Sequence, residues 1–209
     1  MNEIKSLKEA LAELKKGKKR KFEQSVDLII NLKGIDLKKD QLNIVISIPN
    51  KVKDKKVCGF LTEKSNLVKT ITELEFKKYS DAKELRKLEK NYDFFIAAAK
   101  LMPKVATVFG KALGPAGKMP SPQLGILMQE NETAIRSVLD RIASSIKLRA
   151  KEPSIKLTIG KENMDEEKII ENIKAVYSAI ENALPKKKES VRSVMLKLTM
   201  SEPIKVEVK

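Results

Sequence analysis

The hydrophobic period of this chain changes twice, and few architectures accommodate that. In "KFEQSVDLIINLKG" the apolar residues Phe22, Val26, Leu28, Ile30 and Leu32 fall on one face at a spacing built on two, the pattern of a half-buried strand, with Gly34 closing it. "LNIVISIP" reads the same way and is closed by Pro49. From Val57 the style differs. "KVCGFLT" and "YDFFIAAA" are short, continuously apolar runs, suited to strands covered on both faces. Helical patterns separate and follow them: "NLVKTITEL", "SDAKELRKLEK", "LMPKVATVFGKAL" with Pro103 near its start, and "NETAIRSVLDRIASSI" with Asn131 as its N-cap. From Ile155 the period of two returns in "SIKLTIG", "SVRSVMLKLTM" and "PIKVEV", around a helix from Asp165 to about Leu184. "NEIKSLKEALAELKKG" opens the chain as an amphipathic helix on Ile4, Leu7, Leu11 and Leu14, stopped by Gly17.

The 209 residues fit two domains of roughly 100 each. The pattern predicts a mixture of α/β and α+β structure. Residues 1–54 and 152–209 form one discontinuous domain, and residues 55–151 form a parallel-sheet domain inserted into it. Two chain crossings, near Lys53 and near Glu152–Pro153, would join them and permit a hinge.

Lys and Arg number 43 against 28 Asp and Glu, a net charge of +15. Such a surface attracts polyanions, and nucleic acid is the default partner. The excess is +5 over residues 1–54, +9 over 55–151 and +1 over 152–209, so charge does not choose between the two domains. No run of 18 apolar residues spans a membrane, and residues 1–21 hold no apolar leader, so a cytoplasmic protein without a membrane partner is expected. The chain has no histidine and one cysteine, Cys58, set in an apolar run where it reads as a small buried hydrophobe. Those counts remove the commonest general base and the usual zinc ligands, so neither an enzyme nor a cofactor is expected.

"KALGPAGKMPSPQLG", Lys111–Gly125, is the one candidate phosphate cradle. A P-loop needs a Gly, four residues, then Gly-Lys-Ser/Thr. Here Ala112 stands at the first glycine, Met119 follows Gly117-Lys118, and Pro120 blocks a helix start. The acids Asp165, Glu166 and Glu167 sit where a helix dipole favours them and need no catalytic role. The basic run Lys15–Lys21 adjoins Phe22 at a strand start. It is either a solvated face or an RNA contact, with cations on phosphate and the ring on sugar or base. Thr199 and Ser201 lie in a polar turn between two strands and offer hydroxyls to RNA, or simply connect a hairpin.

Taken together, "GKKRKFEQSVDLIINLKGIDLKK", "YDFFIAAAKLMPKVATVFGKALGPAGKMPSP" and "VMLKLTM" resemble the archaeal form of the L-one family of large-subunit ribosomal proteins, over essentially the whole chain and in the same order. The resemblance implies a discontinuous split β-α-β domain that carries the main RNA surface, with a Rossmann-like domain inserted. It also implies the partners: rRNA of the mobile side stalk in the large ribosomal subunit, the protein's own mRNA, and deacylated tRNA leaving the exit site. An RNA-binding regulator that acts only on messengers, away from the ribosome, is the alternative. The family's RNA surface falls on Phe22, Glu23 and Ser25, on Thr199 and Met200, and on Ser193, beside the basic Lys19, Arg20 and Lys21. Lys111 and Lys118 are secondary RNA contacts. Three departures stand out: Ser25 replaces the usual threonine, Ser201 the usual glycine, and Ala116 a frequent arginine. If Ser201 occupies a position needing positive φ, the tightest contact is reshaped.

Overall fold

The computed structural model describes residues 4–17, 20–35, 42–150, 152–185 and 187–208. In chain order it runs β1 (Lys5–Ser6), α1 (Leu7–Lys16), β2 (Ser25–Leu32), β3 (Asn43–Ser47), β4 (Val57–Phe60), β5 (Lys69–Ile71), a 3-10 segment (Glu73–Ser80) and α2 (Ala82–Asn91). There follow β6 (Phe94–Ala98), α3 (Met102–Ala116), β7 (Ile126–Leu127), α4 (Glu132–Ala143), β8 (Ser145–Arg149), β9 (Ser154–Lys161), α5 (Glu166–Ala183), β10 (Val191–Leu198) and β11 (Ile204–Glu207). By their contacts these elements form two compact units, Met1–Lys53 with Ser144–Lys209, and Asp54–Ala143.

The first unit is built on a sheet of order β1-β11-β10-β2-β9, antiparallel except for the short β1–β11 pair. Alternation sends Val26, Leu28, Ile30 and Leu32 of β2 to one face, with Val194, Leu196 and Leu198 of β10 beside them. Those residues share one buried cluster with Leu7, Ala10, Leu11 and Leu14 of α1 and Ile169, Ile173, Val176 and Ile180 of α5. Both helices therefore cover the same face. On the opposite face Asp27, Ile29, Asn31, Ser193, Met195 and Lys197 are only half-buried, and among the described residues α1 and α5 pack on the other side. Ribbon β3–β8 joins the same core through Ile46 and Leu148. The fully buried Asn172 of α5 accepts from Asn50 N at 3.0 Å and donates to Asn50 O at 3.0 Å and Ile159 O at 2.9 Å, fixing the helix to two neighbouring segments.

The second unit holds a parallel sheet of order β5-β4-β6-β7. Phe60, Phe76, Phe95 and Phe109 make its aromatic centre, with ring centroids of Phe60 and Phe109 4.6 Å apart.

Four expectations are corrected. The first helix starts at Leu7, because Ser6 caps it: Glu9 N donates to Ser6 Oγ at 3.4 Å and Ser6 N to Glu9 Oε2 at 3.0 Å. Ile4 is left 70% exposed. The "NLVKTITEL" segment is not helical; its β-branched Thr70 and Ile71 extend as β5 against β4, and a 3-10 segment follows. The helix read through "RIASSI" ends at Ala143. Ser145–Arg149 is strand β8, paired with β3, so this stretch goes with the first unit. Phe22 is not on the buried face of β2, since that strand begins at Ser25.

The glycine–proline stretch is part helix and part buried turn. Lys111–Ala116 completes α3, and Gly117, at φ +70°, ends it in the left-handed conformation. Pro120 and Leu124 are buried. Gly125 admits no side chain: a Cβ would lie 2.8 Å from Phe95 O, and this close approach lets Ala97 N donate to Gly125 O at 2.8 Å.

Candidate nucleic-acid interface

Antiparallel pairing brings the start of β2 and the ends of β9 and β10 to one end of the sheet; Ser25 faces Lys161, and Val26 faces both Gly160 and Leu198. Here Thr199 N donates to Ser25 O at 3.1 Å, and Ser25 N donates to Thr199 Oγ1 at 3.0 Å. The hydroxyl of Thr199 thus finishes the ladder where the backbone leaves it. Ser201 Oγ accepts from Leu198 N at 2.8 Å, tying the turn back onto β10. Met200 N donates to the side-chain oxygen of Gln24 at 3.2 Å. On this fastened frame Phe22 is 51% exposed and Met200 58% exposed. Large apolar side chains held in water on a braced turn are a contact surface in waiting: a ring to stack on a base and a polarisable thioether to pack beside it.

Three acids in this region, Glu23, Asp27 and Glu162, are engaged. Glu23 accepts from Lys161 Nζ at 2.6 Å and from Asn163 Nδ2 at 3.2 Å. Asp27 accepts from Thr158 Oγ1 at 2.7 Å. Glu162 accepts from Gln24. Each of these carboxylates is hydrogen-bonded, while the exposed Arg20 and Lys21 precede Phe22. A phosphate would meet cations and donors here.

Not every expected residue is in this cluster. Ser193 faces Asn31 near the other end of β10, on the open sheet face, about 20 Å of strand from Thr199. There Asn31 Nδ2 donates to Ser193 Oγ at 3.0 Å and Ser154 Oγ donates to Asn31 Oδ1 at 2.9 Å. A surface that includes Ser193 and Thr199 must run along the open face, past Lys156, Ile29, Met195 and Lys197. Lys19 lies outside the described residues. Sequence reasoning missed Gln24, Lys161, Glu162 and Asn163. Their signal was the polar "GKEN" that ends the strand "SIKLTIG", and register alone places it beside "FEQS".

Lys111 and Lys118 both belong to the second unit and differ in use. Lys118 Nζ donates to Glu89 O at 2.7 Å and Tyr92 O at 2.9 Å, which caps the C-terminal end of α2. Lys111 is exposed and, with Arg86 and Thr107, edges a cavity of about 770 Å³ floored by Leu85, Val108 and Pro115. The amides that a phosphate cradle would need are taken: Gly117 N donates to Gly114 O at 3.0 Å and Lys118 N to Leu113 O at 2.9 Å. In a sheet of this order, ligands favour the crevice where the connections part, past the carboxyl ends of β4 and β6. Just beyond β4, Thr62 N donates to Glu130 at 2.7 Å and Thr62 Oγ1 at 2.5 Å, so a carboxylate of the chain holds the anion's place. Cys58 is fully buried, and burial pushes its thiol up to about 12, far from a nucleophile's range. No helix among the described residues is long and apolar enough to cross a membrane.

The model of the ribosomal protein L1p/L10e family matches residues 14–202. The chain is 34% identical to the large ribosomal subunit protein uL1 of Pyrobaculum calidifontis over 215 residues, covering 98% of this chain and 92% of that one. It is 34% identical to the protein of the same name from Thermococcus kodakarensis, with 98% and 96% covered. Against that of Cenarchaeum symbiosum the identity is 35%, with 91% of each covered.

Proposed function

The chain belongs to the ribosomal protein L1p/L10e family, whose members are structural RNA-binding proteins and not enzymes, and on that premise we propose that it binds large-subunit rRNA through the end of its antiparallel sheet. It is a constituent of the large ribosomal subunit, associated with the ribosome in the cytoplasm. Its rRNA site is the mobile side stalk near the tRNA exit, where it assists release of deacylated tRNA. It also represses translation of its own mRNA by binding a copy of that site. The RNA surface comprises Arg20, Lys21, Phe22, Ser25, Thr199 and Met200 and reaches along the open face to Ser193; Lys19, next to Arg20 in the sequence, adds a further cation. Glu23 and Ser201 serve it by holding the frame. Lys111, in the unit formed by Asp54–Ala143, makes a second and weaker contact.

The observation that carries this is the pair of exposed apolar residues, Phe22 and Met200, the latter on a turn tied down by Thr199, Ser201 and Gln24. A solvated basic face needs neither residue. Large subunits lacking their own copy of this protein would be mixed with the purified chain and sedimented. Stoichiometric co-sedimentation, lost in the double variant Phe22→Ala/Met200→Ala, is the expected result. A chain that stays in the supernatant yet binds its own messenger would point to a regulator that works away from the ribosome.

A further inference from the structure

Between Phe22 and Ser25, two residues of the proposed RNA surface, lies one buried polar side chain. Gln24 is 3% exposed. Its side-chain oxygen accepts from Met200 N at 3.2 Å, and its Nε2 donates to Glu162 Oε2 at 3.3 Å. Its backbone N donates to the same carboxylate at 3.4 Å, and Glu162 N donates to Gln24 O at 2.8 Å. Three chain segments, at the start of β2 and just past the ends of β9 and β10, therefore meet on one amide.

We propose that the buried Gln24 and the half-buried Glu162 form a clasp that sets the position of Met200 for RNA, so that Gln24 is a positioning residue of the interface and not a contact. Only an amide serves both partners, since it offers an acceptor to Met200 N and donors to Glu162 from a single planar group. A carboxylate at position 24 would still accept from Met200 but would face Glu162 as a like charge with no proton between them. An apolar residue there would strand the Met200 amide and the carboxylate alike.

This inference rests on the RNA-binding role proposed above, and its test separates the two. Gln24→Glu, Glu162→Gln and the double swap Q24E/E162Q are compared with wild type. The swap restores one acceptor for Met200 N and one donor between the two side chains, with the roles of positions 24 and 162 exchanged. Each protein is titrated with a side-stalk rRNA fragment at two salt concentrations, and hydrogen exchange of the Met200 and Ile29 amides is followed without RNA. Q24E is expected to weaken RNA binding about 10- to 100-fold, with an unchanged salt slope because no phosphate contact is lost. It should speed exchange at Met200 at least tenfold while leaving Ile29, in the sheet, protected. The swap should bring both back to within about threefold of wild type. A swap no better than Q24E, or a Met200 amide indifferent to all three changes, overturns the clasp. A wild-type chain that ignores the fragment, while Met200 exchange still follows the swap, upholds the clasp and overturns the RNA role.

Discussion

Ser201 shows how one side chain can replace the freedom of a glycine. Glycine at this point would matter if the backbone needed positive φ, but Lys187 is the one non-glycine residue with positive φ among those described. Serine therefore fits without strain, and its hydroxyl accepts from Leu198 N at 2.8 Å. Ser201→Gly is expected to weaken rRNA binding, not improve it. The loss should be about 1 kcal/mol, through the lost hydrogen bond and the looser turn, as read by titration with a stalk fragment. Thr199→Val is the stricter case. It keeps the branched shape, removes the acceptor for Ser25 N, and should cost about 1–3 kcal/mol of stability in a thermal or urea melt. Cys58 gives a prediction in pH. Its thiol is raised in the folded chain to about 12 from an ordinary 9.0, because burial disfavours the thiolate. Between these values the folded chain holds a proton that the unfolded chain has lost. Stability from this group is complete below pH 9 and falls as pH rises, by about 1.4 kcal/mol per unit through the window. Cys58→Ala should flatten that alkaline slope in denaturant titrations, and native Cys58 should resist alkylation at pH 8.

At the scale of elements, Lys118 and Gly125 account for the "KALGPAGKMPSPQLG" stretch better than any ligand does. Lys118 closes the end of α2 on two carbonyl oxygens, and Gly125 makes room for the edge of β6. Gly125→Ala should lower the melting temperature of the chain, with a cost of about 1–3 kcal/mol from the forced shift of backbone, and leave RNA affinity nearly untouched. The strands and helices with eight or more residues in a clear period were legible: β2, β9, β10, α3 and α5 lie where the apolar spacing puts them. What the spacing hid is short or nonlocal. β5 is three residues of a run that also fits a helix, and β8 follows α4 with no breaker, so only its partner β3 distinguishes strand from helix. The site divides the same way. Phe22 and Met200 stood out through family resemblance, and Arg20–Lys21 through charge. Gln24 and Glu162 became visible only with the register that lays β9 beside β2, a long-range pairing that no local pattern carries.

Over the whole molecule, +15 of charge would bind almost any RNA, so affinity alone says little. The central claim is that a braced apolar and hydroxyl patch adds specificity to that charge. One titration separates the two. Wild type, Met200→Ala and Lys21→Ala are each titrated against a side-stalk rRNA fragment at two salt concentrations, with excess unrelated duplex RNA present. The predicted result is wild-type binding that survives the competitor at both salts. Met200→Ala should lose about 10- to 100-fold with the wild-type salt slope, and Lys21→Ala should lose less but show a slope shallower by nearly one. Binding that vanishes under competitor at the higher salt, with equal small losses in both variants, would leave only charge and contradict the claim.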